Sequence, residues 1–82
     1  MQTINHCIQA PEGMHARPAG VLAKTASTFQ SDIRLYFNGQ CINAKRMLSI
    51  MTLGLKQGDT IRIEIEGCDE MAAAQALTPV LV

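Results

Sequence analysis

The sequence has no excess charge of either sign and few aromatic side chains. Seven Lys and Arg residues balance seven Asp and Glu residues, and the aromatic side chains are two Phe and one Tyr, with no Trp. Nucleic-acid binding generally needs a basic surface that displaces counterions, and single-strand binding also needs aromatic side chains on which bases stack. The composition therefore disfavours a nucleic-acid partner and favours a protein or a small anion.

Long apolar runs are also missing. None approaches the roughly 20 residues that a membrane-spanning helix needs, and the first residues do not form the basic and apolar leader of a secreted protein. Hydrophobic residues still make up 48% of the chain, which is enough for one core and argues against disorder. We therefore expect a single domain over residues 1–82, located in the cytoplasm and without membrane insertion.

Cysteine is too sparse and too scattered for an obvious disulfide framework or zinc site. Cys7, Cys41 and Cys68 are odd in number and form no Cys-x-x-Cys pair, so we expect buried, reduced thiols and no bound metal. A disulfide or metal role is the alternative. His6 is interpreted as a partly buried strand residue, and the alternative is that it pairs with a second histidine.

Alternation of apolar and polar residues predicts strands, and a spacing of three to four predicts helices. Each predicted strand has one apolar face, which indicates an antiparallel sheet with helices on one side and water on the other. Asn38-Gly39 is the strongest short signal for a two-residue hairpin turn. The predicted order is β-α-β-β-α-β-α, an α+β fold, with strands at residues 3–8, 32–37 and 60–66 and helices at residues 18–28, 47–53 and 71–77. The remaining strand follows the Asn38-Gly39 turn, in a hairpin register that pairs Leu35 with Ile42 and Ile33 with Ala44.

The most informative stretch is Gly-Met-His-Ala-Arg-Pro-Ala-Gly at residues 13–20. His15 precedes a predicted helix that has Pro18 in its first turn, where proline is favoured. Unpaired N–H groups and the helix dipole attract an anion there, and Arg17 adds a fork of donors suited to phosphate. A nucleophilic imidazole beside such a site can accept a phosphoryl group. The alternative is an exposed histidine at a loop–helix junction.

The short helix at residues 47–53 is apolar nearly all round. A helix of one to two turns in so small a domain cannot bury every side, so some of its side chains should be exposed. Exposed methionines suggest a docking patch for more than one partner, and the alternative is that all of them belong to the core. The predicted patch beside His15 consists of Gly20, Lys24 and Ser27 from the first helix and Met47, Leu48 and Met51 from the second.

Two blocks of the sequence together resemble HPr, the family of histidine-containing phosphocarriers of the bacterial phosphoenolpyruvate-dependent sugar phosphotransferase system. The first is residues 13–20, and the second runs from Asn43-Ala44-Lys45 to residues 53–58, after the Asn38-Gly39 hairpin. The resemblance covers nearly the whole chain. It implies an open-faced β-sandwich of four antiparallel strands with three helices on one face.

The resemblance also implies a function. In such proteins the residue matching His15 is phosphorylated on Nδ1 by enzyme I and passes the phosphoryl group to the EIIA domain of a sugar permease. Arg17 matches the arginine that steadies the phosphoryl group, with N–H groups of Ala16 and Arg17 adding donors at the helix end that Pro18 continues. Such a protein is a monomeric group carrier with transient partners and no cofactor, and not a stand-alone catalyst. The alternative is a regulatory module that uses the same fold only for docking.

One residue departs from the family pattern. Many members carry a regulatory serine at the start of the second helix, and this chain has Arg46 there. Serine-based control at that position should be absent, and the role does not transfer to the nearby Ser49. Arg46 also cannot cap the helix as serine does. With Arg17, Lys24 and Lys45 it predicts a basic rim that favours acidic partner surfaces.

Overall fold

Alternating polar and apolar residues produce one four-stranded antiparallel sheet. The computed structural model describes residues 1–82, and the strand order is β1-β4-β2-β3. Each strand keeps one polar face, so the helices cover only the other face and leave the sheet open on one side. The strands are β1 (Gln2–Cys7), β2 (Asp32–Phe37), β3 (Gln40–Asn43) and β4 (Thr60–Glu66).

Three helices and a final 3₁₀ turn enclose the core against the sheet. Ile61, Ile63 and Ile65 of β4 are buried, together with Leu22 and Leu77 from the helices above. None of the helices is long and apolar enough to cross a membrane. The predicted α+β order β-α-β-β-α-β-α is confirmed. The helices are α1 (Ala16–Ser27), α2 (Met47–Thr52) and α3 (Glu70–Leu77), followed by the 3₁₀ turn Thr78–Val80.

The hairpin between β2 and β3 has the predicted turn and register. Asn38 and Gly39 both have positive φ, 51° and 81°, as a type I′ turn requires. Leu35 lies opposite Ile42, which keeps the apolar residues of both strands on the core side. The turn therefore pairs β3 directly with β2, and β3 lies at one edge of the sheet.

The last helix stops just before Pro79. Proline lacks the N–H that a helix needs, and α3 ends at Leu77 before the 3₁₀ turn that contains Pro79. The last residues then return to the loop after β1, where the N–H of Gln9 donates to the carbonyl oxygen of Val82 over 2.7 Å. This return brings Val80 and Val82 near the start of α1.

Asp69, just before α3, holds the loop between α1 and β2. Its carboxylate accepts hydrogen bonds from the backbone N–H groups of Gln30 (2.8 Å) and Ser31 (3.0 Å) and from the Ser31 hydroxyl. These donors, the hydroxyl above all, lower the pKa of Asp69 from its ordinary value. Ser31 is buried, and a side chain at Gly67 would overlap it. The contact therefore fixes where α1 ends relative to α3.

The prediction of buried thiols is wrong, because all three cysteines are free and exposed. Cys7 alternates outward from the core in β1. Cys41 lies opposite Tyr36 on the open face, where a hydrogen bond between the two side chains and partial desolvation raise the pKa of Tyr36. Cys68 follows the end of β4 in a loop. Cysteine is often buried as a small apolar residue. In β1 and β3, however, the alternation of side chains along the strand directs Cys7 and Cys41 away from the core.

Candidate functional site

The loop that carries His15 is anchored to the segment after α2. Gly13 donates its N–H to the carbonyl oxygen of Ala10 (2.9 Å), and Met14 donates to the carbonyl oxygen of Leu55 (3.1 Å). Gly13 has a φ of 71°, and a Cβ there would overlap the backbone of Leu55 and Lys56. Met14 is 4% exposed, so it packs in the core. These contacts hold the loop while His15 itself stays exposed.

His15 is the N-cap residue of α1. Its φ of −84° and ψ of −168° are extended, and its carbonyl oxygen accepts the N–H of Ala19 over 3.0 Å. Its imidazole makes no capping hydrogen bond and is therefore available. The helix begins at Ala16, two residues earlier than the predicted start at 18, so Pro18 lies within the first turn.

The N-terminal end of α1 presents unused donors beside the imidazole. The N–H groups of Ala16 and Arg17 have no backbone acceptor, as expected for the first residues of a helix. The first turn contains no acidic residue that would oppose the positive end of the helix dipole. An exposed nucleophilic nitrogen thus adjoins an anion-attracting helix end.

A cleft of about 580 Å³ joins this helix end to the end of the chain. Sequence reasoning proposed His15, Arg17 and Pro18, and all three line the cleft. It missed the contributions of the loop before His15 and of the last residues, because residues far apart in the chain meet here. The lining includes Glu12, His15, Arg17, Val21, Val80 and Val82.

Apolar side chains of α2 are exposed, as the short length of that helix predicted. Leu48 is 75% exposed, and Met47 and Met51 are just under two-fifths exposed, whereas Ile50 is fully buried. Val21 of α1 is 44% exposed, but it was not among the residues predicted for the patch. The signal that could have identified it is an aliphatic residue on the otherwise polar side of α1. An exposed apolar surface of Val21, Met47, Leu48 and Met51 is a docking candidate.

Gly20 and Ser27 connect α1 to the segment around α2. A Cβ at Gly20 would lie 3.3 Å from Sδ of Met47, so glycine leaves room for the thioether. The Ser27 hydroxyl donates to the carbonyl oxygen of Ala23 (2.8 Å) and lies 3.4 Å from that of Lys45. Lys24 is exposed in the last turn of α1. The predicted patch residues therefore lie on two neighbouring helices, α1 and α2.

One residue of the predicted basic rim, Lys45, is half-buried rather than exposed. The ammonium group of Lys45 donates to the carbonyl oxygen of Phe29 over 2.8 Å, so Lys45 is directed toward the end of α1. Arg46 is the N-cap residue of α2, and its side chain makes no capping hydrogen bond. The Arg46 side chain is exposed, which leaves Arg17, Lys24 and Arg46 as the exposed cations around the surface.

Comparison with known proteins places the chain among phosphocarriers. The family model described as PTS HPr component phosphorylation site matches residues 3–81. The phosphocarrier protein HPr of Buchnera aphidicola subsp. Acyrthosiphon pisum is 43% identical over 74 residues, which are 90% of this chain and 87% of that protein.

Solved structures agree with this comparison. The histidine-containing phosphocarrier protein of a Mycoplasma superposes with a TM-score of 0.93 at 37% identity, covering 96% of this chain and 90% of that one. HPr of Bacillus anthracis superposes with a TM-score of 0.89 at 31% identity, covering 99% and 96%. The open-faced fold is therefore shared with these proteins.

Proposed function

Because the chain belongs to the HPr family of phosphocarriers of the sugar phosphotransferase system, we propose that His15 is its phosphorylated residue. His15 accepts a phosphoryl group from phosphorylated enzyme I and passes it to the EIIA domain of a sugar permease. The observation that carries this proposal is the exposed, uncapped imidazole beside the free N–H groups of Ala16 and Arg17. The proposal includes a monomeric carrier in the cytoplasm, with residues 1–82 acting as one domain.

The chemistry requires only a positioned nucleophile and charge stabilisation. The neutral imidazole, with its proton on Nε2, attacks phosphorus through the lone pair of Nδ1. The new N–P bond forms as the donor's bond to phosphorus breaks, and the electron pair of that bond remains on the donor atom. In such transfers positioning and electrostatics supply most of the catalysis. The partner enzymes supply the remainder.

Arg17 and the first N–H groups of α1 hold the charge of the transferred group. Guanidinium suits a phosphoryl group because its donors form a planar fork. The N–H groups of Ala16 and Arg17 add the anion affinity of a helix N-terminus. Pro18 sets the backbone of this first turn without requiring an acceptor for its own nitrogen.

Partner docking uses the surface of Val21, Met47, Leu48 and Met51, with Gly20, Lys24, Ser27 and Arg46 around it. Transient transfer interfaces are small, with an apolar centre and a charged rim. The same surface serves donor and acceptor in turn, because each must reach the His15 imidazole. Methionine suits this use because its side chain adapts to different partners.

Incubation with phosphoenolpyruvate and enzyme I, followed by intact-mass measurement, tests the proposal. We expect one acid-labile phosphate on the wild type and on His6→Ala, and none on His15→Ala. His6 is the matched control because it is the only other histidine and lies in β1. If an enzyme I that phosphorylates another HPr adds no phosphate here, the chain is instead a regulatory module that uses this fold for docking.

A further inference from the structure

The cleft beside His15 contains a carboxylate that the proposed function does not use. Glu12 lines this cleft together with His15 and Arg17. It is the only acidic residue in the lining, and it is exposed. It makes no ion pair and no side-chain hydrogen bond, although the cleft also contains the cation Arg17. A carboxylate without a structural partner is free to act on the charge of the cleft.

We propose that Glu12 raises the phosphoryl-transfer potential of phosphorylated His15 by electrostatic repulsion. This inference rests on the proposed function, because it concerns the state in which His15 carries a phosphoryl group. In this role Glu12 acts through its charge and forms no bond to the reacting atoms. It sets how strongly the chain retains the group that it has accepted.

Charge balance in the cleft leads to this assignment. Apart from His15, the cleft lining contains one carboxylate side chain, that of Glu12, and one cationic side chain, that of Arg17. A protein-bound phosphoryl group carries roughly −1.5 to −2 charges at neutral pH. Arg17 and the end of α1 attract that charge, whereas Glu12 repels it. The repulsion exists only in the phosphorylated state, so it acts on the equilibrium of transfer.

The transfer step itself is unchanged by Glu12. Loading forms the bond between phosphorus and Nδ1 of His15 and breaks the donor's bond to phosphorus, and delivery reverses these roles with the acceptor. Repulsion by Glu12 opposes loading and favours delivery to the same extent. A carrier must both accept and deliver the phosphoryl group. The carboxylate of Glu12 therefore offsets part of the attraction by which Arg17 and the helix end would otherwise retain the group.

The equilibrium constant of phosphorylation isolates this effect. In a mixture of phosphoenolpyruvate, pyruvate and the purified chain, enzyme I catalyses both directions, so its docking contacts cancel from the equilibrium. Replacing Glu12 by Gln should shift the equilibrium toward the phosphorylated chain by roughly three- to tenfold at low salt. Glu12→Lys should shift it further in the same direction.

A matched control removes a carboxylate elsewhere. Glu66→Gln makes the same change in net charge, and Glu66 lies on the open face of the sheet, where it pairs with Arg34 (3.6 Å). We expect less than a roughly twofold shift for this variant, because distant surface charges are screened. Raising the salt from about 20 mM to about 500 mM should remove most of the Glu12→Gln shift. The thermal transition of each variant confirms that it is folded.

The outcomes separate the two proposals. If the wild type takes up no phosphate, the proposed function fails and the inference falls with it. If the wild type is phosphorylated but Glu12→Gln and Glu66→Gln reach the same equilibrium, only the role of Glu12 is overturned. A shift that persists unchanged at high salt also overturns it, because a steric effect would then replace repulsion. A salt-sensitive shift confined to the Glu12 variants supports it.

Discussion

The backbone amide of Met14 donates a hydrogen bond to the carbonyl oxygen of Leu55 over 3.1 Å, although the two residues are far apart in the chain. The bond ties the loop before α1 to the segment after α2. This contact therefore connects the two parts of the proposed functional surface, because His15 follows Met14 directly and the exposed side chains of α2 come shortly before Leu55. The backbone of Gly13 makes this close approach possible.

Gly13→Ala should destabilise the protein by about 2–4 kcal/mol, because Gly13 combines positive φ with a backbone overlap. Gly54→Ala is the matched control: its φ is 62°, but a Cβ there meets no atom within 4 Å. Its cost should be only that of the left-handed backbone, about 1–2 kcal/mol. Urea unfolding measures both values, and equal losses would contradict the close contact with Leu55.

Met47→Asp and Leu48→Asp should each weaken binding to enzyme I and to an EIIA domain by roughly tenfold, because a carboxylate replaces exposed apolar surface. Met71→Asp is the control, since Met71 is 65% exposed on α3, and its binding should not change. Titration calorimetry gives the dissociation constants. A collapsed thermal transition in either α2 variant would show that the residue belongs to the core, and the docking role would be wrong there.

Arg46→Ser should slow association with an acidic partner roughly two- to fivefold at low salt and leave dissociation unchanged, because an exposed charge steers the encounter. Lys45→Met is the comparison, since its ammonium group is held by the Phe29 carbonyl oxygen. That variant should lose about 1–2 kcal/mol of stability instead. Stopped-flow binding measures the rates, and an unchanged association rate for Arg46→Ser would reject the steering role.

Stability should fall in acid partly through Asp69. The pKa of this carboxyl is lowered in the folded state, chiefly by the Ser31 hydroxyl and the backbone N–H of Gln30. Its contribution is therefore fully present above the ordinary value of 3.8 and is lost as the pH falls through the lower folded value. Asp69→Asn should have a lower free energy of unfolding than the wild type at neutral pH. The difference in free energy should become smaller as the pH falls below the ordinary pKa of 3.8.

Unfolding by urea at a series of pH values measures this difference. Asp32→Asn is the control, because the exposed Asp32 side chain makes no ion pair or hydrogen bond to the Ser31 loop. A difference between Asp69→Asn and the wild type that stays constant with pH would show that the carboxylate charge is not what holds Ser31.

Local patterns in the sequence predicted most of the fold. Alternation gave each strand its buried face, and Asn38-Gly39 set the hairpin because few residues adopt positive φ at both central positions. Pro79 ended α3 for an equally local reason, since proline has no N–H to donate. His15, Arg17 and Pro18 could be singled out because their spacing around a helix start is itself a local property.

The sequence alone therefore determined the elements, the faces of the strands and the identity of the proposed nucleophile, which all depend on residues within a few positions of one another. Only the tertiary structure decided that Glu12 and Val80 share a cleft and that Lys45 turns toward Phe29. The tertiary structure alone also decided that the backbone N–H of Met14 meets the carbonyl oxygen of Leu55. Such contacts join segments that are far apart in the sequence. How close these segments come depends on how the helices pack on the sheet, and neither hydrophobic periodicity nor local propensity determines that distance.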